Sequence, residues 1–358
     1  MWSLSHIANE IHTWLSNTFN PTWTLVIEMV LAGVAVIGLF AGLGLVLVLM
    51  ERRVAAWIQI RLGPNRVGPF GLLQSMADTL KLIVKEGLTP DGADKVMFNI
   101  APFIAMIVAM LLMAPIAFAK DFQLWDLNIG VLYVSAVSSI SVISILIAGW
   151  ASNNKYSLMG AMRSGAQIVS YELSAGLSIL AVVVLTGSLN INDIIQSQAN
   201  GWWIFKGHIP AIIAFVIFIT AVTAETNRAP FDLAEAESEL TAGFHTEYSG
   251  MKFALFFLAE YVNVFIVCAI GATLFLGGWM PFHVGNWQGF NHVMDYIPGS
   301  VWFFGKTFFL IFVIMWFRWT FPRLRIDQLL NLEWKYLLPI SMFNILLVTV
   351  MAILGWHF

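Results

Sequence analysis

The chain has 358 residues, of which 59% are hydrophobic and 11% are charged, and its formal net charge is −3. Because a soluble domain carries about 25% charged residues, this chain has too few to cover a soluble globule, and we expect it to lie in lipid. The small net charge gives no support to nucleic-acid binding, which depends on a strongly basic surface.

The first residues, MWSLSHIANEIHTWLSN, lack the basic start and the unbroken apolar run of a cleavable signal peptide. Apolar side chains recur there at roughly helical spacing, at Leu4, Ile7, Ile11 and Trp14. The pattern predicts a short interfacial helix before the first membrane span.

Eight later segments have, or nearly have, the length of apolar sequence that a membrane-spanning helix needs, about 20 residues. We find no internal repeat and no loop long enough for a soluble domain. The predicted fold class is therefore all-α, a polytopic membrane protein with one membrane domain over residues 1–358. The predicted spans are 24–50, 98–119, 130–150, 166–187, 209–224, 252–276, 300–317 and 335–355.

Between the first two spans, the turn-rich stretch RLGPNRVGP precedes FGLLQSMADTLKLIVKEG. In the second stretch apolar and polar side chains fall on opposite faces of a helix, but the segment is too polar to cross a bilayer. We predict an amphipathic helix over residues 70–86 in the plane of the membrane interface. An ordinary loop helix packed on a partner protein is the alternative.

Lys and Arg residues are distributed unequally between the loops. Fifteen of the 18 follow the first, third, fifth and seventh spans. Because basic residues are enriched in cytoplasmic loops, these loops are predicted to face the cytoplasm, which puts both termini on the non-cytoplasmic side.

Charged residues within or beside the spans suggest function, because ionisable groups are costly in lipid. Glu28 and Lys306 lie near enough to an interface to extend their side chains to it. The remaining groups lie at the cytoplasmic ends of the spans, where one polar cavity open to the cytoplasm is expected to join them. They are Glu51, Arg52 and Arg53 at the end of span 1, Glu172 in span 4, Glu225 after span 5 and Glu260 in span 6.

The cytoplasmic acidic loop over residues 225–251 begins ETNRAPFDLAEAESEL, which holds five of the chain's 21 carboxylates. Asp232 and Glu235 have capping-box spacing, which predicts a helix beginning at residue 233. Asp232, Glu235 and Glu239 then share one face, and Glu237 points elsewhere. Carboxylates crowded in this way titrate as a coupled set, which suits proton handling. A solvated acidic loop is the alternative.

The single cysteine, Cys268, lies in an apolar stretch, and the seven histidines show no spacing typical of metal ligands. One cysteine cannot form an internal disulfide, ligate an iron–sulfur cluster or build a zinc site. We therefore predict that the chain carries no metal and no covalently bound cofactor.

From about Glu51 to Pro339 the chain resembles the quinone-channel membrane subunit of respiratory complex I, which is the H subunit of NADH-quinone oxidoreductase. Four stretches in the same order carry the resemblance. They are ERRVAAWIQIRLGPNRVGP, AGWASNNKYSLMGAMRSGAQIVSYE, NRAPFDLAEAESELTAGFHTEYSGMKFALFFLAEY and RWTFPRLRIDQLLNLEWK.

The resemblance implies a subunit of a proton-translocating NADH:ubiquinone reductase at the junction between the membrane arm and the hydrophilic arm. Such a subunit forms much of the tunnel through which the substrate ubiquinone reaches a terminal iron–sulfur cluster. FMN and the iron–sulfur clusters are then held by partner subunits of the hydrophilic arm, and small membrane subunits are the other neighbours.

The resemblance also assigns roles to individual residues. Residues of the quinone tunnel and its polar wall match Glu51, Arg52, Asp78 and Arg163, and Arg53 is a further candidate for the quinone headgroup. The acidic path toward the proton pumps matches Glu172, Asp232, Glu235, Glu237, Glu239 and Glu247, to which Glu225 and Glu260 are added. The acidic loop is then expected to relay the charge change of quinone reduction.

Two other classes of protein are alternatives. One is the homologous membrane subunit of an energy-converting hydrogenase or related dehydrogenase, and the other is a stand-alone secondary transporter, which commonly shows inverted repeats. The N-terminal extension favours a bacterial inner membrane, with the mitochondrial inner membrane as the alternative.

Overall fold

The computed structural model describes residues 4–120, 122–234, 237–283 and 287–355. Regular structure in these ranges is almost entirely helical, and eight helical runs are long and apolar enough to cross a membrane. The predicted all-α, polytopic fold class is confirmed. In chain order the helices are α1 (Leu4–Thr18), α2 (Pro21–Ile58), α3 (Gln74–Val84), α4 (Lys95–Met113), α5 (Gly130–Ala151), α6 (Lys155–Thr186), α7 (Ile191–Gln196), α8 (Trp203–Lys206), α9 (His208–Glu225), α10 (Glu237–Leu240), α11 (Gly250–Phe275), α12 (Gln288–Asp295), α13 (Gly299–Thr320), α14 (Ile326–Leu332) and α15 (Leu338–Ile353).

Seven spans are single helices, and the eighth is a continuous run of α14, a π-helical turn at Glu333–Leu337 and α15. α4 ends at Met113 because the chain then turns into a small antiparallel ribbon, β1 (Ala117–Ala119) and β2 (Phe122–Gln123). α6 begins earlier than the predicted span, at Lys155, because the side chain of Asn154 caps its first turn.

The helix predicted before the first span is present as α1. Its His12 ring nitrogen Nδ1 forms a hydrogen bond of 2.6 Å with the Glu28 carboxyl oxygen Oε1 on α2. Glu28 therefore has a partner within the chain, and its side chain does not have to reach the interface alone.

The segment predicted as one amphipathic helix over 70–86 is divided into two pieces. A 3₁₀ turn at Pro69–Gly71 comes first, and α3 begins only at Gln74. Phe70 and Gly71 have positive φ angles of 53° and 73°, which a right-handed helix does not contain. A Cβ atom on Gly71 would lie 2.1 Å from the Pro64 carbonyl oxygen, so this turn requires glycine.

α11 lies at the centre of the bundle. It is the most buried of the eight spans and packs against α2, α4, α9 and α13. Its sequence is apolar on nearly every face, which favours burial on all sides. Phe265 of α11 is fully buried, as are Phe118 and Phe303 of neighbouring segments, whereas α15 exposes Phe343 and Val350 on its outer face.

Several described residues of the acidic loop pack against the bundle, whereas Glu239 is exposed. Residues 233–234 form a turn, so the predicted helix start at 233 is wrong, and the next described residues, Glu237–Leu240, form α10. Phe231 and Leu233 are buried in an apolar cluster with Tyr171 and Leu329. This burial pulls the chain away from the helical path that capping-box spacing predicts.

The side chain of Lys306, which was predicted to extend to an interface, is held by backbone carbonyl groups within the chain. Its side chain is only 6% exposed, and its Nζ atom donates hydrogen bonds to the carbonyl oxygens of Leu276 (2.6 Å), Gly278 (2.9 Å) and Met280 (2.6 Å). The ammonium group also lies 4.4 Å from the centre of the Trp202 ring. Lys306 therefore closes the carbonyl end of α11.

Replacing Lys306 by methionine is expected to lower the thermal unfolding temperature of the purified protein in detergent. Methionine has a similar length but no donor, and each buried carbonyl left without a partner costs roughly 1–3 kcal/mol. The control is Lys120→Met, because Lys120 is exposed. Equal unfolding temperatures for the two variants would contradict this role of Lys306.

Candidate functional site

A cavity of about 890 Å³, here called the apolar groove, lies between α2, α3 and α11. Most of its wall is apolar, for example Leu45 and Val48 from α2 and Leu258 from α11. Its polar groups come from the end of α2 and from α3: Arg52, Ser75, Asp78 and Thr79. A wall of this kind suits a ligand that is apolar along most of its length and polar at one end.

Arg52 and Asp78 form an ion pair across the groove. The Gln74 amide also donates to Asp78 at 3.0 Å, and the Lys81 ammonium nitrogen lies 3.7 Å from its carboxylate. Burial acts to raise the pKa of Asp78, but the hydrogen bond and charge of Arg52, helped by Gln74 and Lys81, outweigh burial and hold the pKa below its ordinary range. The polar end of the groove therefore holds a carboxylate and a guanidinium group.

Arg53, the third charged residue at the end of α2, has a different role. Its Nη2 atom donates to the Phe70 carbonyl oxygen at 2.6 Å. The contact fixes the turn before α3, and so positions the helix that carries Asp78.

Four charged side chains form a buried ionic cluster, defined here as Glu51, Arg228, Glu260 and Arg318. Glu51 is 7% exposed and Arg228 is 4% exposed, whereas Glu260 and Arg318 are half-buried. Arg228 reaches Glu51 at 3.4 Å through Nη1 and Glu260 at 3.2 Å through Nε, and Arg318 pairs with the other Glu51 oxygen. Buried charges need such pairing, because an isolated one is strongly destabilising.

Glu51 and Arg52 are consecutive on α2, so their side chains point about 100° apart. Arg52 lines the apolar groove, whereas Glu51 is in the buried ionic cluster. The last turns of α2 therefore separate the two regions by the width of one helix, and a change of charge in the groove acts on the cluster over a short distance.

Two further cavities, here called the first and second polar cavities, have volumes of about 620 Å³ and 550 Å³. The first is lined in part by Glu260 of the buried ionic cluster. Glu225 and Asn263 line both of them. Glu260 lines only the first, and Glu172, which accepts a hydrogen bond from the Ser139 hydroxyl, lines only the second. The structure thus arranges three carboxyl groups in series, Glu260, Glu225 and Glu172.

Other residues predicted for the site hold the acidic loop in place. Arg163 donates to Glu239 at 2.7 Å, and the Asn154 amide donates to Glu247 at 2.6 Å. Both contacts tie the loop to the first turns of α6. Arg163 is therefore found beside the loop, and the structure does not bring it to the groove with Arg52.

The other loop carboxylates are only partly accounted for. Asp232 is partly buried and close enough to act electrostatically on Glu260. Glu235 and the side chain of Glu237 lie outside the described part of the chain. The predicted shared face of Asp232, Glu235 and Glu239 includes Glu235 and therefore lies partly outside the described residues.

His245 lies between the groove and the first polar cavity. Its ring contacts Phe244, which lines that cavity, and Phe253, which lines the groove. Burial lowers the pKa of His245 to about 4. The imidazole is therefore neutral at physiological pH and separates the two regions as an uncharged wall.

Sequence reasoning missed three residues of the site. Arg228 stood out only as the one cation among acids, and Arg318 only as a basic residue at the end of its span. Asn263 could have been found, because it follows Glu260 by three residues and so shares its helix face.

The fold and the site define a class: a polytopic helical membrane protein with an apolar groove beside buried carboxyl groups. No group of three or more His, Cys, Asp or Glu side chains in the described ranges is placed to hold a metal ion.

Comparison with known proteins identifies the family. The sequence profile of the NADH dehydrogenase family matches residues 30–349. Three similar proteins are each named as the H subunit of NADH-quinone oxidoreductase. The protein from Bacteroides thetaiotaomicron is 56% identical over 358 residues, all of both chains. That from Brevibacillus brevis is 46% identical over 332 residues, 93% of this chain and 95% of its own. That from Rickettsia rickettsii is 51% identical over 300 residues, 84% of this chain and 86% of its own. The chain belongs to this family, the H subunits of NADH-quinone oxidoreductases.

The buried ionic cluster predicts non-additive effects on stability. Arg228→Leu removes the partner of the half-buried Glu260 and one of the two partners of the buried Glu51, and it is expected to destabilise the fold by up to roughly 3–5 kcal/mol. Arg228→Leu combined with Glu260→Leu removes both charges and is expected to cost less than Arg228→Leu alone. Denaturant unfolding of the single and double variants measures the difference.

The control for this cycle is the pair of Arg163 and Glu239, whose glutamate is 51% exposed. Arg163→Leu is expected to cost about 1 kcal/mol or less, because exposed ion pairs contribute little. Strict additivity of the Arg228 and Glu260 substitutions would show that the two charges are not coupled.

Proposed function

We propose that the chain is the membrane subunit of complex I that accepts ubiquinone and couples its reduction to proton translocation. The observation that supports this most directly is the end of α2, where Arg52 faces an apolar groove and the adjacent Glu51 is part of a buried ionic cluster. A site for quinone and a path for protons are then separated by one helix.

The apolar groove fits the two parts of a quinone. Its walls of Leu, Val, Ala and Phe suit an isoprenoid tail, and the Arg52–Asp78 pair offers a donor and an acceptor to the headgroup. Reduction of a quinone to a quinol takes up two electrons and two protons. The electrons come from FMN and iron–sulfur clusters in partner subunits, since we assign no electron carrier to this chain.

The coupling step follows from the charge taken up at the headgroup. A negative charge beside Arg52 competes for its guanidinium group and weakens the pull of Arg52 on Asp78. Across α2 the same charge favours protonation of Glu51 and Glu260, since like charges favour the neutral form. Protons then move along Glu260, Glu225 and Glu172, through cavities large enough to hold water at roughly 30 Å³ per molecule.

The remaining predicted residues have supporting roles in this proposal. Arg163, Glu239 and Glu247 anchor the acidic loop, and Arg53 positions α3. Asp232, Glu235 and Glu237 contribute negative charge of the acidic loop near Glu260, where the proposed proton path through Glu260, Glu225 and Glu172 begins.

Partner subunits and a location belong to the same proposal. The groove and the acidic loop lie at one end of the bundle, where subunits that carry the quinone site and the terminal iron–sulfur cluster would dock. Small membrane subunits would adjoin the second polar cavity, at Glu172. We place the complex in a bacterial inner membrane, since the three relatives are bacterial. No feature of the described ranges favours a hydrogenase subunit or a stand-alone transporter.

Filling the apolar groove is expected to weaken binding of long-tailed quinones. Ala41 lines the groove, and Ala41→Trp should raise the KM for a long-tailed quinone more than the KM for a short-tailed analogue, with kcat for the analogue retained. The assay is NADH oxidation by the membrane-embedded complex. The matched control is Val34→Trp, also on α2, where the side chain is exposed. If the KM for the long-tailed quinone is the same in Ala41→Trp and Val34→Trp, the groove is not the path of the quinone tail.

Glu225 is the carboxyl shared by the two polar cavities, so Glu225→Gln should interrupt the proton path and leave quinone reduction possible. We expect fewer protons translocated per NADH oxidised in proteoliposomes, with the uncoupled oxidation rate largely kept. Glu86→Gln, an exposed carboxylate outside the path, is the control. A wild-type ratio of protons to NADH in Glu225→Gln would remove Glu225 from the mechanism.

A further inference from the structure

A second row of buried polar side chains lies on another face of α6, away from Glu172. On α6 it contains Gln167, Tyr171, Ser174 and Ser178, which recur every three or four residues and therefore share one face. The facing helical run contributes Glu333, Ser341 and Asn344. All seven are at most 3% exposed, and we call them the polar seam.

Three oxygen atoms on the polar seam have no hydrogen-bond partner among the described residues: Gln167 Oε1, Glu333 Oε1 and Asn344 Oδ1. The orientation of both amides is fixed by their nitrogen atoms. Gln167 Nε2 donates to the carbonyl oxygens of Ala224 (2.7 Å) and Phe231 (2.6 Å), and Asn344 Nδ2 donates to that of Pro210 (3.1 Å). Rotating either amide would place two acceptors against each other. The seam therefore offers acceptors that only an O–H or N–H group can satisfy.

Glu333 is the carboxyl group of the seam. Its Oε2 atom accepts a hydrogen bond from the Ser174 hydroxyl at 3.0 Å, and no basic side chain in the described ranges pairs with it. An ionised carboxylate that is fully buried without a counter-charge costs several kcal/mol, so this position favours the neutral carboxylic acid over the carboxylate. The other titratable group of the seam is Tyr171, whose hydroxyl donates to the Leu329 carbonyl oxygen at 3.0 Å.

The backbone at Glu333 is also unusual. Glu333–Leu337 is a π-helical turn between α14 and α15. Such turns are rare and often occur at functional sites. This one places Glu333 opposite Ser174 at the point where the eighth span meets α6.

The polar seam extends over most of the thickness of a membrane. At one end Gln167 contacts the acidic loop through the Phe231 carbonyl. At the other, Asn344 contacts Pro210 in the first turn of α9, whose opposite end is Glu225. Fifteen residues of helix separate Pro210 from Glu225, about 22 Å at 1.5 Å per residue. The hydrocarbon core of a bilayer is about 30 Å thick.

We propose that Glu333 is a proton-binding site and that the polar seam conducts protons between the acidic loop and the first turn of α9. The route is separate from the one through Glu225 and Glu172. The Glu333 carboxyl gives its proton to a water molecule on one side of the seam, which leaves a carboxylate and a hydronium ion, and the carboxylate then takes up a proton from water on the opposite side. Its charge is thus restored in each cycle, and no redox partner is needed for the transfer.

The test uses the intact complex in proteoliposomes, and in this readout the proposal rests on the function proposed above. Glu333→Gln keeps the shape and a hydrogen bond with Ser174 but cannot exchange a proton. We expect it to lower the number of protons translocated per NADH oxidised, with the uncoupled oxidation rate kept. Glu333→Asp, which can still titrate, is expected to restore part of the ratio.

Asn344→Leu removes an acceptor at the far end of the seam without touching Glu333, and it should lower the same ratio. The matched control is Asp327→Asn, because Asp327 is an exposed carboxylate in the same helical run. If the complex that carries Glu333→Gln does not assemble, the proton ratio of the Asn344→Leu complex alone decides the question. Wild-type ratios in the assembled seam variants would overturn the proposal.

The outcome also separates this proposal from the function proposed above. If Glu225→Gln lowers the proton ratio and the seam variants do not, only the seam is excluded. If the unmodified complex shows no quinone-linked proton translocation, the proposed function itself is wrong.

Discussion

The pairing of Glu51 with Arg228 and Arg318 is the interaction on which the rest of the structure depends. It joins the end of α2, the acidic loop and the end of α13, three segments far apart in the sequence. Two carboxylates and two arginines balance one another in the cluster, and the buried charges of Glu51 and Arg228 are tolerable only while their partners remain. A cluster balanced in this way holds the helices together and responds to any added charge nearby. The same ion pairs thus connect α2, the acidic loop and α13 and make the cluster sensitive to a change of charge in the apolar groove.

That sensitivity depends on how the apolar and polar regions are kept apart. The apolar groove is bounded by α2, α3 and α11, and α11 also lines the first polar cavity through Phe256, Ala259 and Glu260. His245 and its neighbours Phe244 and Phe253 close the space between them with an uncharged aromatic wall. Electrostatic forces act across such a wall, because it has a low dielectric constant, whereas water and protons do not pass it easily. In the proposed mechanism, this arrangement allows a charge in the groove to act on Glu260, Glu225 and Glu172 without passage of water or protons between the groove and the polar cavities.

Much of this architecture is predictable from sequence. The features that could not be predicted were missed for physical reasons. Length and apolarity were enough for the eight spans. The one-sided charges predicted one cavity shared by Glu51, Arg52, Arg53, Glu172, Glu225 and Glu260, but the structure divides this set: Arg52 lines the apolar groove, Glu260 and Glu225 line the first polar cavity, and Glu225 and Glu172 line the second. The partnership of Glu51 and Arg318 could not be predicted, because 267 residues separate them and no local pattern signals the contact. The helix expected from residue 233 failed for a different reason: burial of Phe231 and Leu233 outweighs a capping signal worth about 1 kcal/mol. Glu333 escaped notice because a carboxylate near the end of a span usually reaches the interface, and only its packing against Ser174 shows that it does not.

α6 carries polar groups on two faces, and their chemistry is alike. On one face Glu172 borders the second polar cavity, and on the other Gln167 and Ser174 border the polar seam with Glu333. On the seam the groups without partners in the described ranges are all acceptors, so a protonated carboxyl or a water molecule is stabilised there and an anion is not. Asn263 Oδ1, between the two polar cavities, is likewise an unpaired acceptor. Both regions therefore select for the species that a proton path must hold. A helix with two such faces can serve two routes, provided that the apolar side chains between them keep the protons on separate paths.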